Sequence, residues 1–279
     1  MKTLNCRGKL VDLDVPKVMG IINITHDSFY DGGKSFSTNQ LLRQAEKMLF
    51  AGATFLDVGG YSSRAGADDI SVEEETDRIL RAIEAILKEF PDSKISVDTF
   101  RSAVAEAAIH QGASIINDIS GGSLDPNMFD TAAKLNVPYI LMHMRGTPKT
   151  MATLTEYENV TVAVLKDLSE KIAKARAAGM NDIIVDPGFG FAKNAAQSFE
   201  LLQNLELLKN LDTPLLVGVS RKSMIYKTLN TTPQEALNGT TALHMIALSK
   251  GAHILRVHDV REAVECVKLT EKLRANSEH

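Results

Sequence analysis

Asp182-Ile-Ile-Val-Asp-Pro-Gly-Phe-Gly-Phe-Ala-Lys193 opens on a β-branched run, Ile183-Ile184-Val185, of the kind that forms a strand buried on both faces. Asp186 follows at once, and Pro187-Gly188 breaks the strand. Two glycines and two phenylalanines make the loop beyond it. A strand that carries a charge to its C-terminal end and opens into a glycine-aromatic loop is the usual wall of an α/β active site. Taken alone it fits an ordinary Pro-Gly turn equally well. Recurrence of the pattern along the chain separates the two.

Seven further apolar runs show the same habit: Val18–Ile24, Thr54–Val58, Lys94–Asp98, Ser114–Ile119, Pro138–His143, Pro214–Val219 and Ala252–Val257. Between them lie helical patterns. Ser37-x-x-Gln40 and Ser71-x-x-Glu74 fit capping boxes, and Thr232-Pro233-Gln234-Glu235 places a proline at a first helical position. Gly52, Gly112, Gly179 and Gly251 read as helix ends leading into the next strand. Strand–helix alternation repeated eight times, with no linker, predicts an α/β protein of (β/α)8 TIM-barrel type. Residues 3–15 alternate around Arg7-Gly8-Lys9 and predict a short N-terminal β-hairpin closing the barrel floor. The competing open doubly wound sheet lacks its GxGxxG phosphate fingerprint here.

Composition bounds the function. The 279 residues are 44% hydrophobic and 24% charged with net charge −4, so no basic field argues for nucleic acid. No apolar run approaches the roughly 20 residues of a membrane span. The N-terminus has no signal-peptide h-region, and Cys6 and Cys266 lie far apart without metal spacing. Both read as free structural thiols in a cytoplasmic protein.

In a barrel the C-terminal strand ends meet at one rim, so the polar residues there face one site. They are Asn23, Asp57, Asp98, Asn117, Asp118, His143, Asp186, Arg221, Lys222, Arg256 and His258. Asp57, before Val58-Gly59-Gly60, reads best as an orienter of loop backbone, and His143 as a packed histidine. Asp118 fits a brace for the Gly121-Gly122 turn, and Asp98 a cap for the helix from Arg101. Arg256 and His258 alternate on one strand and suit phosphate oxygens. Asn23 suits a Mg²⁺ that keeps most of its waters. Asp98, Asn117 and Asp186 suit a heterocycle rich in N–H donors, with Lys222 over its acceptors. The loops Thr25–Gly33 and Gly59–Gly66 are long and glycine-rich for βα connections and read as mobile lids.

Together these motifs resemble dihydropteroate synthase, a folate-pathway family. They run from Met19-Gly-Ile-Ile-Asn-Ile-Thr-His-Asp-Ser-Phe through Asp57-Val-Gly-Gly-Tyr-Ser-Ser-Arg-Ala-Gly-Ala, Ser96-Val-Asp-Thr-Phe and Ile115-Ile-Asn-Asp-Ile-Ser-Gly-Gly. Leu141-Met-His-Met-Arg-Gly-Thr-Pro, Asp186-Pro-Gly-Phe-Gly-Phe, Gly218-Val-Ser-Arg-Lys-Ser and Arg256-Val-His-Asp-Val complete them. The resemblance implies one pterin-binding barrel domain: hairpin 1–16, barrel 17–275 and tail 276–279. It implies condensation of 6-hydroxymethyl-7,8-dihydropterin pyrophosphate with para-aminobenzoate, giving 7,8-dihydropteroate and pyrophosphate. By the same resemblance Asp98, Asn117, Met142, Asp186 and Lys222 hold the pterin. Asn23, Ser63, Arg256 and His258 hold the pyrophosphate, Asn23 with Mg²⁺. Phe191, Lys222 and Ser223 border the aminobenzoate, and the lids contribute Asp27, Phe29, Ser63 and Arg64. Barrels of this type often pair, so a homodimer through the last helices (233–250 and 260–275) is the expected assembly.

The chain departs from the family pattern at His26, Tyr61, Ser63, Ala65 and Ala192, where proline, glutamate, threonine, proline and glycine are usual. Loss of proline at 65 predicts a looser second lid and a weaker sulfonamide response. Two other readings keep the pterin pocket: a methyltetrahydrofolate methyltransferase-like domain, and a non-catalytic pterin-binding paralogue. The lids and the Arg256/His258 pair count against the first, and retention of Asn23 and Lys222 against the second.

Overall fold

Alternation along each strand decides which residues face the barrel lumen and which face the helices. The computed structural model describes residues 2–24, 34–61 and 70–275. A hairpin of β1 (Thr3–Cys6) and β2 (Lys9–Asp12) leads into eight parallel strands: β3 (Lys17–Asn23), β4 (Phe55–Gly59), β5 (Lys94–Asp98), β6 (Ile115–Asp118), β7 (Tyr139–Met142), β8 (Ile183–Asp186), β9 (Leu216–Val217) and β10 (Ile254–Val257). Their order is β8-β7-β6-β5-β4-β3-β10-β9, and a parallel bridge from Val185 to Leu215 joins the two ends. The sheet is thus a nearly closed barrel, as the eightfold alternation predicts.

One set of lumen residues, Met19, Phe55, Ile115, Ile140, Ile184, Leu216 and Ile254, packs with Leu4, Cys6, Val11 and Leu13 of the hairpin segment. The hairpin therefore plugs the floor, as expected, and Cys6 and Cys266 are buried free thiols. The opposite strand faces, with Val58, Val97, Ile116, Leu141, Val185 and Val257, pack on the helices. Two residues beyond the plug on each strand, the lumen positions become Asp57, Asn117, Met142, Asp186, Gly218 and Arg256. The site is the next layer up from an apolar floor.

The helices are α1 (Lys34–Phe50), α2 (Val72–Glu89), α3 (Ser102–Gln111), α4 (Met128–Leu135), α5 (Val160–Ala177), α6 (Ala195–Gln203), α7 (Ser223–Tyr226), α8 (Leu237–Ser249) and α9 (Val260–Ala275). Ser71 caps α2 by accepting from the Glu74 amide at 3.1 Å. Gly52, Gly112, Gly179 and Gly251 all have φ between +99° and +126°, the left-handed geometry of a helix end. Two helix starts differ from the sequence reading. α1 begins at Lys34, so position 37 lies inside it and is not its N-cap position. α8 begins at Leu237, five residues beyond Thr232. Residues 233–236 form a turn instead, because the Arg221 guanidinium takes the carbonyls of Pro233 and Gln234 and the Glu235 carboxylate turns back onto Thr231 and Thr232. β9 is also shorter than expected: Gly218 follows it, and Val219 already accepts from the Lys222 amide in the next turn.

Candidate active site

Register aligns the rim. Asn23 pairs with Gly59, Gly59 with Asp98, and Asp98 with Asn117, so four adjacent strands end at one level. Across the lumen, β8 and β9 bring up Asp186 and Gly218. A Cβ built on Gly218 would sit 3.9 Å from Asp186 Oδ2, 4.0 Å from Lys222 Nζ and 3.9 Å from Arg256 Cβ. A carboxylate, an amine and the root of the Arg256 side chain thus converge over a residue with no side chain of its own.

Arg256 is the link between the two halves. Its Nε donates to Asp57 Oδ2 at 2.6 Å and its Nη2 to Asp98 Oδ2 at 2.5 Å. Nη1 has no partner among the described residues and remains for a ligand. Asn117 Nδ2 donates to the same Asp57 oxygen at 3.0 Å. Asp57, fully buried, is therefore no brace for loop backbone, contrary to the sequence reading: it orients Arg256 and Asn117. Nor does Asp98 cap a helix. Its carboxylate is on Arg256, and the first amide of α3 is taken by Asp125 at 2.7 Å.

Burial sets the protonation of these groups. It pushes Asp98 up to about 7 even with Arg256 pulling it down, while Asp57 adds like charge. Burial also raises Asp186, with Lys222 and the Gly188 amide pulling it back. Lys222 is pulled down to about 8 by desolvation, which Asp186 only partly offsets. Burial works against the Arg256 charge too, but Asp57 and Asp98 outweigh it and hold the guanidinium above its ordinary range.

Lys222 Nζ donates to the Phe189 carbonyl and stands 4.8 Å from the centre of the Phe191 ring. Met142 packs with Ile119, Met144, Met151 and Ala192, and Phe100, Leu124 and Phe191 lie against them, giving the pocket one apolar wall beside its carboxylates. Ser223 opens α7 directly after Lys222. Asn23 and His258 are exposed at the rim, and His258 Nδ1 is 3.0 Å from Ser220 Oγ. Arg221 makes a two-point ion pair with Asp259 at 2.7 and 2.8 Å and so belongs to the frame of the site. Asp118 accepts from the Ser120 and Gly122 amides and from Tyr139, bracing its turn as read. His143 is buried and packed, again as read. Asp27, Phe29, Ser63 and Arg64, with His26 and Ala65, lie outside the described residues.

Among the described residues, sequence reading under-weighted Asp57 and passed over Lys193. Asp57 carried a signal, a carboxylate inside an otherwise apolar buried strand. Lys193 carried none; its burial follows from a loop conformation that spacing does not encode.

No three carboxylates, imidazoles or thiols cluster as a metal cage among the described residues. An exposed amide at the rim, Asn23, beside the Asp98 level fits a hydrated Mg²⁺ whose remaining ligands are water and substrate oxygens.

A family model described as "Pterin binding enzyme" matches residues 19–258. The dihydropteroate synthase of Escherichia coli (strain K12) is 45% identical over 270 residues, covering 96% of this chain and 95% of that protein. Among solved structures, Yersinia pestis dihydropteroate synthase with a sulfonamide drug complex superposes with TM-score 0.91 at 43% identity, covering 98% of this chain and 100% of that one. Xanthomonas albilineans dihydropteroate synthase with 4-aminobenzoic acid gives TM-score 0.90 at 37% identity, covering 98% of each. A carboxylate-and-guanidinium pocket above a plugged barrel floor, joined to these near full-length likenesses, places the chain in the pterin-binding enzyme family, among its dihydropteroate synthases.

Proposed function

We propose that this chain is a transferase joining 6-hydroxymethyl-7,8-dihydropterin pyrophosphate to para-aminobenzoate, with 7,8-dihydropteroate and pyrophosphate as products. The observation that carries the reading is the convergence of Asp186, Lys222 and Arg256 around Gly218. It gives one end of the pocket to hydrogen-bond acceptors and the other to anion binding. Asp98, Asn117 and Asp186 take the N–H groups of the pterin ring, Lys222 its acceptor edge, and Met142 its face. Arg256, through the guanidinium nitrogen left over from Asp57 and Asp98, and His258 take the pyrophosphate oxygens. Ser63 joins them by the family resemblance.

The reaction is a substitution at the pterin methylene, in which the C–O bond to pyrophosphate breaks and the amine nitrogen bonds to that carbon. Positive charge grows on the pterin side as the bond lengthens, and negative charge on the leaving group. Carboxylates face the first and Arg256 faces the second, so both charges are met by groups already in place. The aromatic amine is neutral at pH 7 and needs no strong base; its proton is lost after bond formation. Phe191 and Ser223 border the amine, with Lys222 between it and the pterin. Mg²⁺ at Asn23, when bound, supplies further charge to the pyrophosphate. By the family resemblance Asp27, Phe29 and Arg64 are the residues that keep water from the electron-poor carbon.

Pyrophosphate release tests this directly. Release from the pterin pyrophosphate with Mg²⁺ should require para-aminobenzoate, yield dihydropteroate, be inhibited by a sulfonamide and vanish in Asp98→Ala. Tight pterin binding without release would point to a non-catalytic pterin-binding protein instead. Cytoplasmic residence and a homodimer through α8 and α9 belong to the same proposal. No helix among the described residues is long and apolar enough to cross a membrane.

A further inference from the structure

Three left-handed residues alternate in the turn after β8: Gly188 at φ +69°, Gly190 at +76° and Ala192 at +50°. So wound, the turn cannot join a ladder; within it the Phe191 amide reaches Gly188 O at 3.1 Å, and further donors come from elsewhere. These are two lysines. Lys193, only 6% exposed, donates from Nζ to Gly188 O at 2.9 Å and Phe191 O at 3.0 Å, and lies 2.8 Å from His143 Nδ1. Lys222 takes the carbonyl of Phe189 from the pocket side.

We propose that Lys193 is a positioning residue for the amine half of the site: its buried nitrogen, tied to His143 and to two carbonyls of the 188–191 turn, fixes the shape that sets the Phe191 ring and the Phe189 carbonyl against Lys222. This rests on the synthase reading. Removing Lys193 leaves Phe191 O short of a donor and Gly188 O with the Phe191 amide alone, and the turn then rearranges to reach water. Asp186 remains on its strand, so the pterin half should suffer less. His143 is neutral, pushed down to about 2 by burial and then by Lys193, so Nδ1 accepts from an ammonium and the proton sits on Nε2. Burial pulls Lys193 down to about 7, with Asp186 and Asp167 opposing and Lys222 and Arg145 assisting. Lys171 and Arg145 also face the imidazole, and the Tyr157 ring lies 6.2 Å from it. Above about pH 7 the neutral amine spends its two N–H groups on the carbonyls and its lone pair accepts a hydrogen bond from Nδ1–H, so the imidazole changes tautomer with Lys193 titration.

The experiment compares wild type with Lys193→Met. The expected result is a KM for para-aminobenzoate raised about tenfold, with the Kd for pterin pyrophosphate within about threefold. An unchanged KM in a folded variant overturns the proposal, and so does an equal loss on both substrates, which marks a merely structural role. Should the variant fail to fold, ¹⁵N spectra of wild-type His143 decide: Nδ1 bare and accepting from the ammonium at pH 6 supports it, and Nδ1 protonated at pH 6 overturns it. Absence of turnover in wild type as well would count against the synthase reading alone, since the imidazole spectrum needs no turnover.

Discussion

Asp57 stands in the middle of β4 between Leu56 and Val58, both fully buried, and its carboxylate holds Arg256 and Asn117 at once. Its place in the strand was plain in the sequence; its partner was not, because Arg256 lies 199 residues away. Asp57→Asn should therefore lower kcat/KM about a hundredfold by loosening the leaving-group cation, with little change in far-UV circular dichroism. A fall in Tm with kcat/KM intact would return Asp57 to a bracing role. Asp98 makes a second prediction, on pH. Its folded pKa is about 7 against an ordinary 3.8, so between those values the folded protein keeps a proton the unfolded chain has lost. Ligand-free stability should thus fall as pH rises through that window. Pterin N–H donors need the carboxylate, so pterin affinity should weaken as pH drops below about 7, approaching tenfold per pH unit. Asp98→Asn should flatten both curves in denaturant melts and titration calorimetry, and an unaltered affinity profile in that variant would assign the dependence elsewhere.

At the scale of elements, what was legible came from local rules. Eight apolar runs gave eight strands, and left-handed glycines marked the helix ends. What misled was tertiary capture of backbone groups: Arg221 reaches 12 and 13 residues along the chain to take the carbonyls that a helix starting at Thr232 would need. The turn after β8 shows both sides. Pro187-Gly188 announces a turn, yet nothing local says that Ala192 must be left-handed, a conformation costing a residue with a Cβ about 1 kcal/mol. Ala192→Gly should raise unfolding stability by about 0.5–1 kcal/mol in urea melts. Gly188→Ala should do the reverse by a larger amount, because a Cβ there would lie 2.1 Å from the His143 carbonyl oxygen. Equal melting curves for the two variants would mean that the turn relaxes freely, and the left-handed alternation would then carry no strain.

For the whole molecule, the layering of the lumen is what converts sequence periodicity into a site: hairpin residues plug the floor, so polar groups accumulate only at the other end. That layering was readable from alternation, whereas the assembly state was not, since an amphipathic helix packs on a barrel or on a partner with the same stripe. Exposed side chains on the last two helices make the dimer testable. α8 and α9 pack on each other, with Cys266 Sγ against the Thr241 carbonyl, yet Ile246, Leu269 and Leu273 stay 41%, 59% and 62% exposed. Leu269 and Leu273 are four residues apart on α9 and so share a face. Two copies pairing through that face would cover apolar surface and stiffen β10, the strand between α8 and α9 that carries Arg256. Sedimentation of the wild type at micromolar concentration should show twice the chain mass, and Leu269→Glu with Leu273→Glu should reduce it to the chain mass with circular dichroism preserved. A wild type that sediments as a single chain would leave that face as plain solvent-exposed surface, and the site would then stand complete within one barrel.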